Sequence, residues 1–479
     1  MEESSPREPG EGRSALSIRA LYLIGIAGGA AVLGIRIWLM PGLPLWLDET
    51  WTAMIAGQPT WAAFWREVWL DANAPFYYLV MWLWPGEGNF ELRLPSLIFM
   101  SAVPLLALGW KLPGLSREAR LAWAALLFFW SPGLLLSADA RSYALLLLVS
   151  VAQTIAFARL MEAPGVRRAA LWCGLAALAV ATHYFAAWLA LVQGLFYLAL
   201  HRGQAVRTWP ALLALVPLAA WGAFHLPRLL IYARPDVVWY ERLSLEGASS
   251  VAAYALGPGL LFALLLAAIL AACRLLKAEP SGGGARWAAI SGVAALALLV
   301  AVGMKQPFLV DRYLTPLVPS TLLGAVLLAR APAGYAVVAA FYLAWIDPAA
   351  VRGTLERRAV FGLEMPTRYL LAARPDRLTY SLGYGGARVM DPATMSRIGS
   401  YFFDRANQRV DSRMIVTGPD ALGELIAASS GSRPAVILLY RQENRPDLRR
   451  LPSDWQCLDR PGYRSGTLAC APRRQFQAP

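Results

Sequence analysis

The chain has 479 residues, of which 57% are hydrophobic and only 16% charged, and its mean hydropathy is +0.46. Soluble domains carry about 25% charged residues, and the apolar stretches that recur from Leu21 to Ile346 exceed what one soluble core can hold, so a soluble globular protein is excluded in favour of a polytopic membrane protein. The net charge of +13 rests on arginine, the lysines being only Lys111, Lys277 and Lys305; in a membrane protein this surplus reports topology and anionic headgroups, not a nucleic-acid partner.

Residues 1–17 are polar and rich in Pro, Glu and Ser, and predict a disordered cytosolic tail. Residues 18–40 are apolar, flanked by Arg13 and Arg19, and followed by no small-residue cleavage site, which predicts a retained span. Further apolar segments near 92–110, 121–137, 143–160, 170–182, 184–200, 209–227, 251–273, 288–304, 314–330 and 333–347 bring the expected total to about eleven spans in a membrane domain over 18–347. Arginine and lysine concentrate in four short loops, around Lys111–Arg120, Arg159–Arg168, His201–Arg207 and Arg274–Arg286. By the positive-inside rule those loops are cytosolic, which places 41–91, 138–142, 183, 228–250 and 305–313 on the opposite face. The apolar run 75–85 is too short to span and predicts a non-spanning helix within a long outer loop, whose Trp and Tyr content over 61–84 suits an interfacial location.

Beyond Ile346 the composition changes: residues 349–479 hold 20 arginines and 12 carboxylates. Strand-like runs (Arg377–Leu382, Met414–Thr417, Ala435–Tyr440) alternate with helix-like ones (Pro392–Asn407, Pro419–Ser429), predicting a small α/β domain over 348–479 on the outer, periplasmic face. Outside the cytosol a disulfide between Cys457 and Cys470 is expected. No CxxC occurs and the three histidines are scattered, so no structural zinc site is expected.

Ionisable residues at span boundaries carry the most information. On the outer face the sequence gathers Asp48 and Glu49 after the first span, Asp139, Arg141 and Tyr143 near the third, and His183 and Tyr184 at a break between apolar runs. Arg228, Arg234, Asp236 and Tyr240 precede the eighth span, and Lys305, Asp311, Arg312 and Tyr313 open the tenth. Two adjacent carboxylates offer a general base, and guanidinium groups pair bidentately with phosphate. A base beside several cations at the lipid–water boundary suits group transfer from a phosphate-bearing lipid, with the phosphate leaving. Neither a P-loop nor GxGxxG is present, which argues against a soluble nucleotide-sugar donor. The bland alternatives are helix-end anchoring for the arginines, capping for His183 and interfacial packing for the Trp-rich stretch.

Several short elements, taken in order, resemble the GT-C glycosyltransferases that use polyprenyl-phosphate-linked sugars, and more closely the bacterial relatives of protein O-mannosyltransferases and of the lipid A aminoarabinose transferase. They are Asp48-Glu49; Asn73-Ala74-Pro75-Phe76-Tyr77-Tyr78; Glu91-Leu92-Arg93-Leu94-Pro95-Ser96; Ala140-Arg141-Ser142-Tyr143; Thr182-His183-Tyr184; and Asp311-Arg312-Tyr313-Leu314 with Pro316. The resemblance covers residues 18–330. It implies that Asp48 is the base that activates the acceptor hydroxyl, with Glu49 in support, and that Arg312, Arg141, Lys305 and Tyr313 face the donor phosphate. Asn73, Tyr77, Arg93, Asp139, Tyr143, His183, Tyr184, Arg234 and Tyr240 are candidates for substrate contact. The resemblance fixes no cofactor and leaves metal use open; if a divalent cation (Mg or Mn) takes part, Asp48 and Asp139 would hold it. The Asn-Ala-Pro before Phe76 lacks the lysine that aminoarabinose transferases place there, which separates the two phosphate clamps.

The expectation is therefore a bacterial inner-membrane, inverting glycosyltransferase that works at the periplasmic face. Its partners are a polyprenyl-phosphate-linked sugar, a lipid, glycan or protein acceptor, and the surrounding membrane lipids. An O-antigen polymerase or ligase would carry its large outer loop late in the chain. A flippase or transporter would show internal repeats, and neither feature is evident.

Overall fold

A computed structural model describes residues 9–234, 237, 241–257, 282–383 and 389–476. Tyr240, Asp236, Arg274, Lys277 and the latter part of the expected 251–273 span lie outside the described residues. Contacts divide the chain into two compact units, Met1–Leu39 with Arg93–Gly222 and Tyr240–Pro348, and Met40–Leu92 with Ala223–Trp239 and Ala349–Pro479. Composition had grouped residues 40–92 with the spans; in the structure they pack with the tail.

Among its described residues the first unit is built of helices and the turns between them. Among the described residues six helices are long and apolar enough to cross a bilayer, or seven if Pro332–Ala344 and Pro348–Val360 count as one. Shorter helices at Arg117–Phe129, Val166–Thr182 and Ala186–His201 fall on further expected spans. The first helix begins at Pro9, ahead of the expected residue 18. The helix Tyr143–Glu162 is apolar all round and almost wholly buried, as expected of a central helix. Among its buried polar side chains, Gln153 donates to Gln193 Oε1 at 2.9 Å, and the Thr154 and Ser320 hydroxyls lie 3.2 Å apart. Small residues permit close packing around it; a Cβ at Gly284 would lie 2.1 Å from the Ala158 carbonyl oxygen.

Arg36, fully buried near the end of the first span, donates from its two terminal nitrogens to the carbonyls of Met100 (3.2 Å) and Phe128 (2.9 Å), with its guanidinium 4.1 Å from the Phe128 ring centre. The choice of carbonyls has a cause. Four residues beyond Met100 stands Pro104, and four beyond Phe128 stands Pro132. Proline has no N–H, so both carbonyls lack their helical donor, and Arg36 supplies it. The expected 121–137 span accordingly breaks after Phe129 and resumes as Pro132–Ser137.

The second unit combines residues 40–92 and 223–239 with the tail. Its five strands are β1 (Arg377–Ser381), β2 (Asp411–Met414), β3 (Pro434–Arg441), β4 (Trp455–Pro461) and β5 (Ser465–Pro472), in the order β2-β1-β3-β5-β4. The pairs β1–β2 and β1–β3 are parallel, with the helices Pro392–Arg405 and Ala421–Ala428 in the connections. The pairs β3–β5 and β4–β5 are antiparallel. The strand expected at Met414–Thr417 lies at Asp411–Met414: β2 is an edge strand, so its register opposite Arg377–Tyr380, not its apolarity, fixes it. Cys457 faces Cys470 across β4–β5, and their sulfurs are bonded.

The loop helices are short. Pro75–Trp82 has eight residues, a length of about 12 Å, well under the bilayer core of about 30 Å. Two buried carboxylates tie loop to tail within this unit. Glu67, on the helix Trp61–Leu70, accepts from Thr394 Oγ1 at 2.7 Å and pairs with Arg397. Glu364 accepts from the Leu45 N–H at 2.6 Å, from Asn89 Nδ2 at 2.8 Å and from Arg368.

Candidate active site

In the membrane unit, three distant segments meet. Residues 138–142 are the break between Pro132–Ser137 and Tyr143–Glu162. There the Asp139 carbonyl accepts from the Arg141 N–H (2.8 Å) and from Ser96 Oγ (2.7 Å), which fixes the turn that presents Arg141. His183 ends the helix Val166–Thr182 with an extended backbone. Asp311–Leu317 forms a 3-10 turn that carries Arg312 into the helix Val318–Ala329.

Arg312 Nε donates to the Tyr143 hydroxyl at 3.0 Å, and its guanidinium lies 6.0 and 5.9 Å from the ring centres of Tyr143 and Tyr313. The His183 ring sits 5.3 Å from Tyr143 and 5.0 Å from Tyr313, and both Arg141 and Arg312 are near enough to act on it electrostatically. Asp139, Arg141, Tyr143 and His183 are each 7% exposed or less. Five predicted residues, Arg141, Tyr143, His183, Arg312 and Tyr313, thus come together. Two guanidinium groups with a phenol and an imidazole form an anion-binding set, in partly desolvated surroundings where charge-assisted bonds are strong. Phe185, which the sequence reading passed over, stacks on Phe308 (5.6 Å) and meets Tyr313 at 4.3 Å, giving the cluster an apolar wall.

Other predicted residues of this unit stand differently. Lys305 is exposed just past the helix Gly283–Gly303, and no side-chain bond ties it to Arg312. Tyr184 accepts from Trp221 Nε1 at 2.9 Å, a helix-packing contact. Arg93 is buried on the helix Asn89–Gly109, one turn before Ser96.

In the second unit, Asp48 and Glu49 occupy the first turn of Leu47–Ala56, where the helix dipole favours carboxylates. Their environments differ. Glu49 is fully buried and its Oε2 accepts from the Trp46 N–H at 3.3 Å, capping its own helix, whereas Asp48 is half-buried. Three successive backbone donors pin this turn: Leu45 to Glu364, Trp46 to Glu49, and Leu47 to the Phe361 carbonyl (3.0 Å). Asp48 is therefore presented from a fixed backbone.

Asp71 is a carboxylate the sequence reading missed. It accepts from the Tyr78 hydroxyl at 2.5 Å and from Asn73 Nδ2 at 2.8 Å, so Asn73 is oriented by Asp71. The signal available was the acid two residues before Asn73 in an otherwise aromatic stretch. Below it His225 and Arg228 cap the helix Trp61–Leu70: His225 Nε2 contacts the carbonyls of Trp69 (3.1 Å) and Asp71 (3.0 Å), and Arg228 Nε donates to that of Leu70 (3.0 Å). The Arg228 cation there complements the helix C-terminus. Tyr77 is buried and Arg234 exposed at the end of Val216–Tyr232.

Among the described residues no three His, Cys, Asp or Glu side chains gather as a metal site. Asp48 and Asp139, the pair suggested for a divalent ion, belong to different units.

The architecture has solved counterparts. ArnT from Cupriavidus metallidurans, in a crystal structure bound to undecaprenyl phosphate, superposes with a TM-score of 0.51 over 93% of this chain and 97% of its own, at 13% identity. The chain has a GT-C fold. The apo structure of the same ArnT gives 0.49 over the same shares, again at 13% identity. No family model and no curated protein matches the chain.

Proposed function

We propose that this GT-C chain is a membrane glycosyltransferase that moves a sugar from a polyprenyl phosphate to a hydroxyl acceptor on a lipid, glycan or protein. The observation that carries it is the Arg141–Tyr143–His183–Arg312 cluster, drawn from segments up to 171 residues apart, whose two guanidinium groups suit a phosphate. The fold adds weight, since ArnT with the same architecture holds undecaprenyl phosphate.

In the proposed reaction the acceptor oxygen attacks the anomeric carbon as the bond from that carbon to the phosphate oxygen breaks. The electron pair leaves with polyprenyl phosphate, whose growing charge Arg141 and Arg312 stabilise. The acceptor proton goes to Asp48, and Glu49 keeps the Asp48 helix capped. A single displacement inverts the anomeric centre. Residues 41–91, 228–250 and 349–479 are assigned to one face by loop charge, and most of them fall in one compact unit that also carries the bonded cysteines. Both features support a periplasmic placement in the inner membrane.

The test is reconstitution of the purified protein with polyprenyl-phosphate sugars and envelope acceptors, with release of polyprenyl phosphate as the readout. Acceptor-dependent release is expected. Its absence across hexose and pentose donors would count against the reading. Mass spectrometry of envelope glycans from a deletion strain names the missing sugar.

A further inference from the structure

The helix Tyr143–Glu162 connects two charged places. Its first residue belongs to the cluster described above, and its last turn, 20 residues on, lies about 30 Å away, the thickness of a bilayer core. At that far end is a cavity of about 410 Å³ lined by Lys111, Arg159, Glu162 and Arg168.

Two of the lining cations, Arg159 and Arg168, are tied to backbone carbonyls. Arg159 donates from Nε (3.1 Å) and from a terminal nitrogen (2.7 Å) to the Lys111 carbonyl, with its guanidinium 5.2 Å from the Trp110 ring centre. Those bonds fasten the loop after Asn89–Gly109 to the end of Tyr143–Glu162 and bring Lys111 beside Arg159. Arg168 donates to the Ala163 carbonyl at 2.6 Å and is close enough to Arg159 to repel it. The pocket's one carboxylate, Glu162, already accepts from the Gly284 N–H at 2.7 Å. Three cations face one partly engaged acid, next to a tryptophan of the kind that marks the headgroup layer.

We propose that this pocket binds the phosphate of an anionic phospholipid headgroup, on the membrane face opposite the Arg312 cluster. A phosphate would bridge Lys111 and Arg168 and relieve the repulsion between Arg159 and Arg168. A lipid is favoured over a soluble phosphate because the cavity sits at span ends, where a headgroup is already at high local concentration. Basic pockets between spans on the cytosolic side are suited to such headgroups. The site is separate from the donor site and does not depend on the reaction proposed for it.

The experiment uses the full-length purified protein and native mass spectrometry with phosphatidylglycerol, phosphatidylcholine and inorganic phosphate. The parent should retain phosphatidylglycerol in preference to phosphatidylcholine. Each surface cation contributes about 1 kcal/mol to such binding, so Lys111→Gln with Arg168→Gln should weaken phosphatidylglycerol about 30-fold. Lys111→Gln alone removes no hydrogen bond seen in the structure, keeps the fold, and should cost about fivefold. Arg207→Gln, an exposed cation on another loop, should stay within about twofold of the parent. Unchanged retention in both pocket variants overturns the proposal, as does an equal loss in Arg207→Gln, which would report surface charge alone. Displacement of the lipid by millimolar inorganic phosphate would reassign the pocket to a soluble anion and overturn the lipid site.

Discussion

The second unit and the membrane unit treat their charges in opposite ways. In the second unit the buried acids Glu67, Glu364 and Glu49 are closed by partners of their own unit. Glu67 has Thr394 and Arg397, Glu364 has the Leu45 N–H, Asn89 and Arg368, and Glu49 has the Trp46 N–H. In the membrane unit Arg312 lies against aromatic faces and a phenol, and Arg141 and Arg312 both bear on one imidazole. The contrast teaches that a buried charge does not by itself mark chemistry: Glu67, Glu364 and Glu49 hold a scaffold, while Asp48 stands half-buried on the pinned turn.

Asp48 is where the comparison can be broken most decisively. Asp48→Asn should lower transfer by about 10²–10⁴-fold with expression and unfolding temperature unchanged, measured by polyprenyl phosphate release. Glu49→Gln should instead lower stability by about 1 kcal/mol and activity much less; the reverse ranking would exchange the two roles. In the tail, Cys457→Ser with Cys470→Ser opens a loop of 13 residues. The expected cost is about 3 kcal/mol in the unfolding of the tail, read by limited proteolysis against denaturant. Thiol alkylation on intact cells with non-reducing mass mapping should find the pair oxidised.

On the membrane side, Arg312→Ala should weaken donor use by about 10–150-fold. Arg312→Lys should lose at least several-fold, because an ammonium cannot reproduce the planar fork. Parity of the Lys variant with the parent would leave Arg312 as a helix-end anchor. Glu67→Gln sharpens the scaffold half: Arg397 is 35% exposed, so solvent screening limits the cost to about 1–2 kcal/mol, seen as a lower unfolding temperature with per-molecule activity retained. The smallest effect belongs to Asp391, which caps Pro392–Arg405 through the Thr394 N–H at 2.9 Å. That bond holds its carboxyl below the usual carboxylate range. A depressed value stabilises the fold above the unfolded pKa of about 3.9, and the gain disappears as pH falls through the lower folded value. Asp391→Asn should therefore differ from the parent near neutral pH and converge with it in acid, in unfolding curves taken across pH.

Much of this was legible in the sequence because it was written in periodicity or in local charge. The long apolar helices, the short helix Pro75–Trp82, the strands β1 and β3 and the convergence of Arg141, Tyr143, His183 and Arg312 follow from apolar length and from boundary residues. What escaped depends on partners distant in sequence. Glu67 and Glu364 look like ordinary surface acids until Arg397 and Asn89 reach them, 330 and 275 residues away. Asp71 was hidden inside an aromatic run that packing alone explained. Residues 40–92 join the tail through those same long-range bonds, which no local composition encodes, and β2 was displaced because an edge strand needs no apolar run.

Arg36 carries a consequence for synthesis. A guanidinium within a span costs up to about 3 kcal/mol while only lipid surrounds it, and its two carbonyl partners are made 64 and 92 residues later. Until the segment bearing Phe128 leaves the ribosome, the end of the first span must keep water or headgroups at its side. Met100 and Phe128, for their part, remain short of a donor until Arg36 reaches them. The two prolines and the arginine thus impose an order of assembly: the helices ending near residues 39, 109 and 129 reach their final packing as a set, and a chain cut short before Phe128 would leave its first helix unfinished in the bilayer.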